Sequence, residues 1–158
     1  MQGSIKMTMN LKPLQKLQQK SPKHFRTAAE KGAIQFLTWA NNGSKNETRK
    51  PPIRWGVLRG SSSSFVGNKF LSVFPINVKT GALEQPTPAK SYSGKDLVLT
   101  WCWNTDYAAK MHEHQGGWGK FTLQDGDAGN KWIERHLRRD KNDLMKMIAI
   151  EFKKAAGM

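Results

Sequence analysis

One segment constrains the fold of this chain more than any other. Residues 97–104 read LVLTWCWN, and their aromatic and aliphatic content is typical of a β-strand. Alternation places apolar side chains on both faces: Leu97, Leu99, Trp101 and Trp103 on one, and Val98, Thr100 and Cys102 on the other. Such a strand requires cover on both sides. We therefore predict either the central strand of a sheet or a strand whose second face meets another subunit.

Two further strands are predicted upstream of this segment. Residues 57–65 and 69–74 have strand composition, and the Val66-Gly67-Asn68 sequence between them suits a hairpin turn. The serines at 61–64 lie in the first strand, and their alternation predicts one side that faces solvent or another subunit. Residues 75–96 contain three prolines and two glycines, so we expect a long loop there.

Two helices are predicted before these strands. Met7, Leu11, Leu14 and Leu17 recur at helical spacing, which predicts an amphipathic helix over 7–20 with Asn10 as its cap. A second helix begins after Ser21, a natural N-cap, with Pro22 at its first position. Its apolar face runs from Phe25 to Ala40, and Asn41-Asn42-Gly43 supplies a left-handed stop.

A long amphipathic helix is predicted over residues 128–155. Its apolar face is formed by Ile133, Leu137, Leu144, Ile148 and Phe152. Residues 138–141 are assigned to the solvent side, and Asp127 to the cap. The fold class that follows is α+β, an antiparallel or mixed sheet of about four strands packed by N-terminal helices and the long C-terminal helix. We expect residues 1–20 to form an N-terminal arm and residues 21–158 a single domain.

The charge distribution indicates an anionic partner. The chain has 26 Lys and Arg against 12 Asp and Glu, a net charge of +14. Residues 1–60 hold 12 of these cations and two acids, a net of +10. Such a surface attracts nucleic acid or an acidic protein. The single cysteine, Cys102, excludes an intramolecular disulfide, and no signal peptide or membrane span is evident, so we expect a soluble protein made in the cytosol.

No catalytic, metal or cofactor site is predicted. His112 and His114 are two residues apart around Glu113, whereas a metalloprotease helix needs its histidines four apart. Residues 125–130 resemble a calcium loop but lack its later Glu. Gly56 and Gly60 are not followed by the Lys-Ser/Thr of a phosphate-binding loop. We therefore predict that the protein is not an enzyme.

Three short motifs remain, and their order is informative. The first is Pro52-Ile53-Arg54-Trp55-Gly56-Val57-Leu58-Arg59-Gly60-Ser61. The second is Asn104-Thr105-Asp106-Tyr107-Ala108 with His112-Glu113 and Gly116, and the third is Gly129-Asn130-Lys131-Trp132-Ile133-Glu134. Taken in order, they resemble a family of tailed-bacteriophage neck proteins, described as tail-completion, head–tail joining or minor capsid proteins. Arg54-Trp55 stands where that family has Asp-Thr.

The resemblance implies a structural role in the virion. Its matching positions here are Pro52, Gly56, Leu58, Arg59, Asn104, Tyr107, Glu113 and Trp132. It implies a ring of identical subunits, a hexamer or dodecamer, at the interface of head and tail. Neighbouring connector and tail proteins are the implied partners, with passing DNA contacted without sequence specificity and no membrane. The subunit contact would use Leu97, Leu99, Trp101 and Trp103, and residues 75–96 would form an arm.

Two alternatives follow from the residues themselves. The charge of residues 1–60 supports a small basic nucleic-acid-binding protein, although no helix-turn-helix, RNP-type strand or finger spacing is present. The histidines at 112 and 114 leave a metal-dependent nuclease as a more distant alternative.

Overall fold

The fold is seen in a computed structural model that describes residues 5–51, 61–67, 69–73, 97–105, 108–114 and 128–158. The strands are β1 (Ile5–Asn10), β2 (Ser62–Val66), β3 (Lys69–Val73) and β4 (Val98–Trp103). The α-helices are α1 (Gln15–Lys20), α2 (Pro22–Asn42), α3 (Ala108–Glu113) and α4 (Trp132–Ala155). The predicted α+β class, antiparallel sheet and long C-terminal helix are confirmed. The predicted loop at 75–96 lies outside the described residues.

The sheet has the order β1-β4-β2-β3, and every neighbouring pair is antiparallel. β4 lies between β1 and β2, which confirms the prediction of a central strand. β2 and β3 form the predicted hairpin, with Gly67 in the turn at φ +56°. Such a backbone angle favours glycine, because a Cβ atom is strained there.

The strand β1 corrects the prediction of a helix over residues 7–20. Residues 5–10 also alternate with period two, and pairing with β4 selects this period: Met7 lies opposite Trp101 and Met9 opposite Leu99. The Asn10 side chain still forms a turn, accepting a hydrogen bond from the Lys12 backbone N–H at 2.8 Å. A 3-10 turn at Lys12–Leu14 follows, and α1 begins only at Gln15.

The helix α2 has the predicted bounds and fills the space between the sheet and α4. Its C-terminus is closed by Gly43, whose N–H donates to the Trp39 carbonyl at 2.7 Å and whose φ is +89°. Towards the sheet, the indole N–H of Trp101 donates to the Ala33 carbonyl at 2.8 Å. Towards α4, Gly32 lies so close to Ile148 that an added Cβ would be 2.6 Å from Ile148 Cγ1. Because α2 packs against the sheet on one side and against α4 on another, it buries more side chains than the single apolar stripe of a surface helix.

Ser61 to Ser64 are all fully buried within this chain, so the prediction of a side that faces solvent or another subunit is wrong. The Ser62 hydroxyl accepts a hydrogen bond from Asn41 Nδ2 at 3.0 Å, which ties β2 to the end of α2. Serine is small enough to allow this close approach while offering a polar partner to the buried amide.

The helix α4 begins later than predicted and buries more of its surface. Lys131, with φ +56°, occupies the N-cap, so Asp127 is not the cap. Arg138, Arg139 and Lys141 are exposed as expected, but Asp140 is fully buried, which corrects its assignment to the solvent side. The reason is a hydrogen-bonded network, described below, that forms between α4 and residues 44–49.

Candidate functional site

The first two sequence motifs meet at the end of β4. The Asn104 backbone N–H donates to the Ser61 carbonyl at 3.3 Å and approaches the Ser61 hydroxyl at 3.1 Å. Ser61 ends the first motif and Asn104 begins the second. The other matching positions of these motifs, Pro52, Gly56, Leu58, Arg59 and Tyr107, lie outside the described residues.

The second and third motifs also meet. The Lys131 backbone N–H donates to the His112 carbonyl at 2.8 Å. The Trp132 ring packs edge-on against the His112 ring, with centroids 4.9 Å apart, and against Trp103, with centroids 6.2 Å apart. We call this set of residues the motif junction, and it comprises Ser61, Trp103, Asn104, His112, Glu113, Lys131 and Trp132. Segments distant in sequence thus converge at one end of the central strand.

The charges of the motif junction are arranged around a neutral imidazole. Burial lowers the pKa of His112, and the neighbouring Glu113 only partly opposes this effect. His112 Nδ1 donates to Glu113 Oε1 at 3.0 Å. Lys131 forms an ion pair with the same carboxylate and lowers the Glu113 pKa, while Glu113 raises the Lys131 pKa. Glu113 therefore links an exposed cation to a buried ring.

Two buried polar atoms of the junction have no hydrogen-bond partner: His112 Nε2 and Trp132 Nε1. A neutral histidine with a free Nε2 has the electronic character of a base or a metal ligand. Within the described ranges, however, no three His, Cys, Asp or Glu side chains form a metal-binding group. The junction thus holds one buried imidazole nitrogen that has no hydrogen-bond partner among the described residues.

The predicted subunit-contact residues occupy the core of this chain. Leu99, Trp101 and Trp103 are fully buried, and both tryptophans donate hydrogen bonds to α2, Trp101 to Ala33 and Trp103 to Asn41. Only Leu97 is half-buried. The tight cover by α2 corrects the expectation that this face of β4 is offered to a neighbour.

A buried charged network, not foreseen from the sequence, fastens residues 44–49 to α4. Asp140 Oδ2 lies 2.5 Å from His136 Nδ1, and its Oδ1 accepts from the Ser44 hydroxyl at 2.7 Å. His136 Nε2 donates to the Arg49 carbonyl at 2.8 Å. A carbonyl oxygen can only accept, so Nε2 is the donor in this contact, while Nδ1 is engaged by Asp140. Both imidazole nitrogens are therefore occupied, and neither is free to take part in catalysis. The sequence signal was the i, i+4 spacing of His136 and Asp140 next to the apolar stripe.

The N-terminal helices carry a row of lysines. Lys12, Lys16 and Lys20 are exposed and spaced four residues apart, and we call them the lysine stripe. In the part of the chain that the structure describes, none of the three side chains forms a hydrogen bond or an ion pair. Lys31, Lys45 and Lys69, by contrast, each form a salt bridge.

Cys102 is buried on the sheet, and burial raises the pKa of its thiol, although Lys6 across the β1–β4 pair opposes this. A buried thiol of raised pKa is a poor nucleophile.

Among the described residues, no helix is long and apolar enough to cross a membrane. No protein-family model, curated protein or solved structure matches the chain.

Proposed function

We propose that this chain is a non-enzymatic structural protein of a tailed bacteriophage, and that it forms a ring in the neck that joins the DNA-filled head to the tail. The observation that carries this proposal is the motif junction. Residues selected by their resemblance to neck proteins, Asn104, Glu113 and Trp132, lie in or next to one joint at the end of β4, in contact with residues of the other motifs.

The chemistry of the described side chains supports a structural role. His136 is closed off by Asp140 and by the Arg49 carbonyl, and Cys102 is buried with a raised thiol pKa. His112 packs on Trp132 inside the joint. These groups hold segments together, which is what a subunit needs to transmit load between head and tail.

Loss of the gene product tests the proposal directly. A phage with an amber codon early in this gene is grown in a non-suppressing host, and the lysate is examined by negative-stain electron microscopy. We expect filled heads and separate tails, with infectivity restored when purified protein is added to the lysate. Normal yields of joined, infectious particles would contradict the proposal.

The ring is tested separately. Size-exclusion chromatography with light scattering at high protein concentration, in the presence and absence of purified tails, measures the mass of the assembly. We expect a mass of six or twelve subunits under at least one of these conditions. A monomer under all conditions would contradict the ring. It would not bear on whether the protein joins head to tail, which the amber mutant tests.

A further inference from the structure

The lysine stripe spans the 3-10 turn, which holds Lys12, and the short helix α1, which holds Lys16 and Lys20. Its members follow at intervals of four residues, so Lys16 and Lys20 stand about 6 Å apart along α1. Leu14 and Leu17, at other positions of the same segment, are half-buried and pack against the core. The apolar side of α1 is therefore occupied, and the lysines point outward.

The start of α2 carries two further cations, Lys23 and Arg26. A groove of about 220 Å³ is lined by Gln18 of α1 together with Lys23 and Arg26 of α2, and by Val66 at the end of β2. Gln18 is two residues from both Lys16 and Lys20, about 200° around α1, so this groove lies on the side of the helix away from those two lysines. Lys23 is exposed and, like the stripe, has no ion-pair partner in the described residues.

The segment that carries the lysine stripe has no acidic residue in its sequence. Residues 1–29 contain six Lys and Arg and no Asp or Glu; the first acid is Glu30, which pairs with Lys69. In α4, by contrast, acids lie among the cations, and Glu151 binds both Lys31 and Lys154. Among the described residues, no acid pairs with the lysine stripe, and a positive surface of this kind favours a polyanion as partner.

The side chains of this surface favour a phosphate backbone over an acidic protein or a lipid surface as partner. Protein interfaces are depleted in lysine and rely on large apolar anchors. The exposed large hydrophobic residues of the described chain are Ile34, Ile150 and Met158, all outside residues 5–29. Insertion into a lipid surface needs a free apolar helix face, and Leu14 and Leu17 are already packed. A phosphate backbone needs only spaced cations.

We propose that the lysine stripe binds the phosphate backbone of duplex DNA without reading its sequence. This inference does not depend on the role in the neck, and it would hold equally for a free DNA-binding protein. In a neck, the same contact would hold or guide the DNA that passes between head and tail.

The test compares two triple variants that remove the same charge. Lys12, Lys16 and Lys20 are changed to Gln in one variant, and the exposed Lys141, Lys146 and Lys153 of α4 are changed to Gln in the other. Fluorescence anisotropy with a labelled 24-base-pair duplex is measured from 50 to 300 mM NaCl, and circular dichroism melting checks that each variant folds. The wild-type log Kd should rise linearly with log salt concentration.

We expect the stripe variant to bind at least about tenfold more weakly at 100 mM NaCl and to lose about 3 units of the salt slope, close to one for each phosphate contact. The α4 variant should retain the wild-type slope. Equal losses in both variants, or no wild-type binding at 50 mM NaCl, would overturn the proposal. So would displacement of the DNA by polyglutamate as effectively as by unlabelled DNA, since that would indicate an acidic protein partner.

Discussion

His112 shows at the scale of a single residue how burial and a neighbouring charge compete. Its ring is held between Glu113 and Trp132, and one of its nitrogens faces no partner. Desolvation disfavours the imidazolium form, so the pKa is lowered despite the adjacent carboxylate. The folded protein therefore prefers His112 without a proton, and acid conditions should weaken the joint.

This preference predicts a pH dependence of stability. Above the ordinary histidine pKa of about 6.5, His112 is neutral in both states and its contribution is complete. As the pH falls from there towards the lowered folded-state pKa, the unfolded chain takes up a proton that the folded chain does not, and the free energy of unfolding decreases. Urea unfolding followed by tryptophan fluorescence at pH 7.5 and 5.0 measures this loss.

The matched variant is His112→Gln. The other histidines contribute equally to the pH dependence of unfolding in this variant and in the wild type, so any difference between the two proteins is due to His112. We expect the loss of stability between pH 7.5 and 5.0 to be smaller in this variant than in the wild type. Carboxylates such as Glu113 titrate at still lower pH, because its pKa is lowered. An identical pH dependence in the two proteins would refute the assignment.

Asp140 provides a second prediction at this scale. Asp140→Ala leaves the buried His136 and the Ser44 hydroxyl without their shared partner. Breaking a buried, hydrogen-bonded pair typically costs about 3–5 kcal/mol of unfolding free energy. Asp143→Ala, three residues further along α4, removes a partly exposed partner of Asn46 and Lys45 and leaves the His136–Asp140 pair intact, so it is the comparison and should cost much less. Similar losses in both variants, measured by urea unfolding, would argue against the network.

At the scale of the elements, the packing of α2 against α4 depends on the absence of a side chain. An added Cβ at Gly32 would lie 2.6 Å from Ile148 Cγ1 and 2.8 Å from its Cδ1. Nearby, Lys31 bridges to Glu151 at 3.0 Å across the same pair of helices. The glycine thus sets the close approach of the two longest helices.

Gly32→Ala tests this close approach. In an unobstructed helix the change stabilises by about 0.5–1 kcal/mol. Here the overlap with Ile148 should reverse the sign, with a loss of about 1–3 kcal/mol. In an Ile148→Ala background the same substitution should be less costly, and chemical unfolding of the four proteins gives the coupling energy. A stabilised Gly32→Ala protein would show that the helices can separate without cost.

The elements differ in how far sequence alone could define them. β4 and α2 were predictable because their local patterns have one interpretation. β1 was not, because Met7 and Leu11 also fit a helical spacing, and pairing with β4 decides the outcome. The burial of Asp140 depends on Ser44, 96 residues away. For the same reason, the motif residues could be named in advance, but their meeting at one joint could not.

At the scale of the whole molecule, the chain combines a firmly packed core with two distinct outer features. The motif junction gathers the segments that resemble neck proteins at one end of the sheet, and the lysine stripe presents unpaired cations from the N-terminal helices. A subunit of a ring around DNA needs both a rigid body and a positive surface. We therefore predict that both features serve one assembly.

The most direct measurement is a cryo-electron microscopy reconstruction of the neck of the tailed phage that we propose encodes this chain. We predict a ring of six or twelve copies between the head and the tail tube, into whose density the sheet, α2 and α4 fit without rearrangement. Mass spectrometry of the same purified particles should detect the chain at the matching copy number. Particles with a fully occupied neck that lack this chain would contradict the central claim.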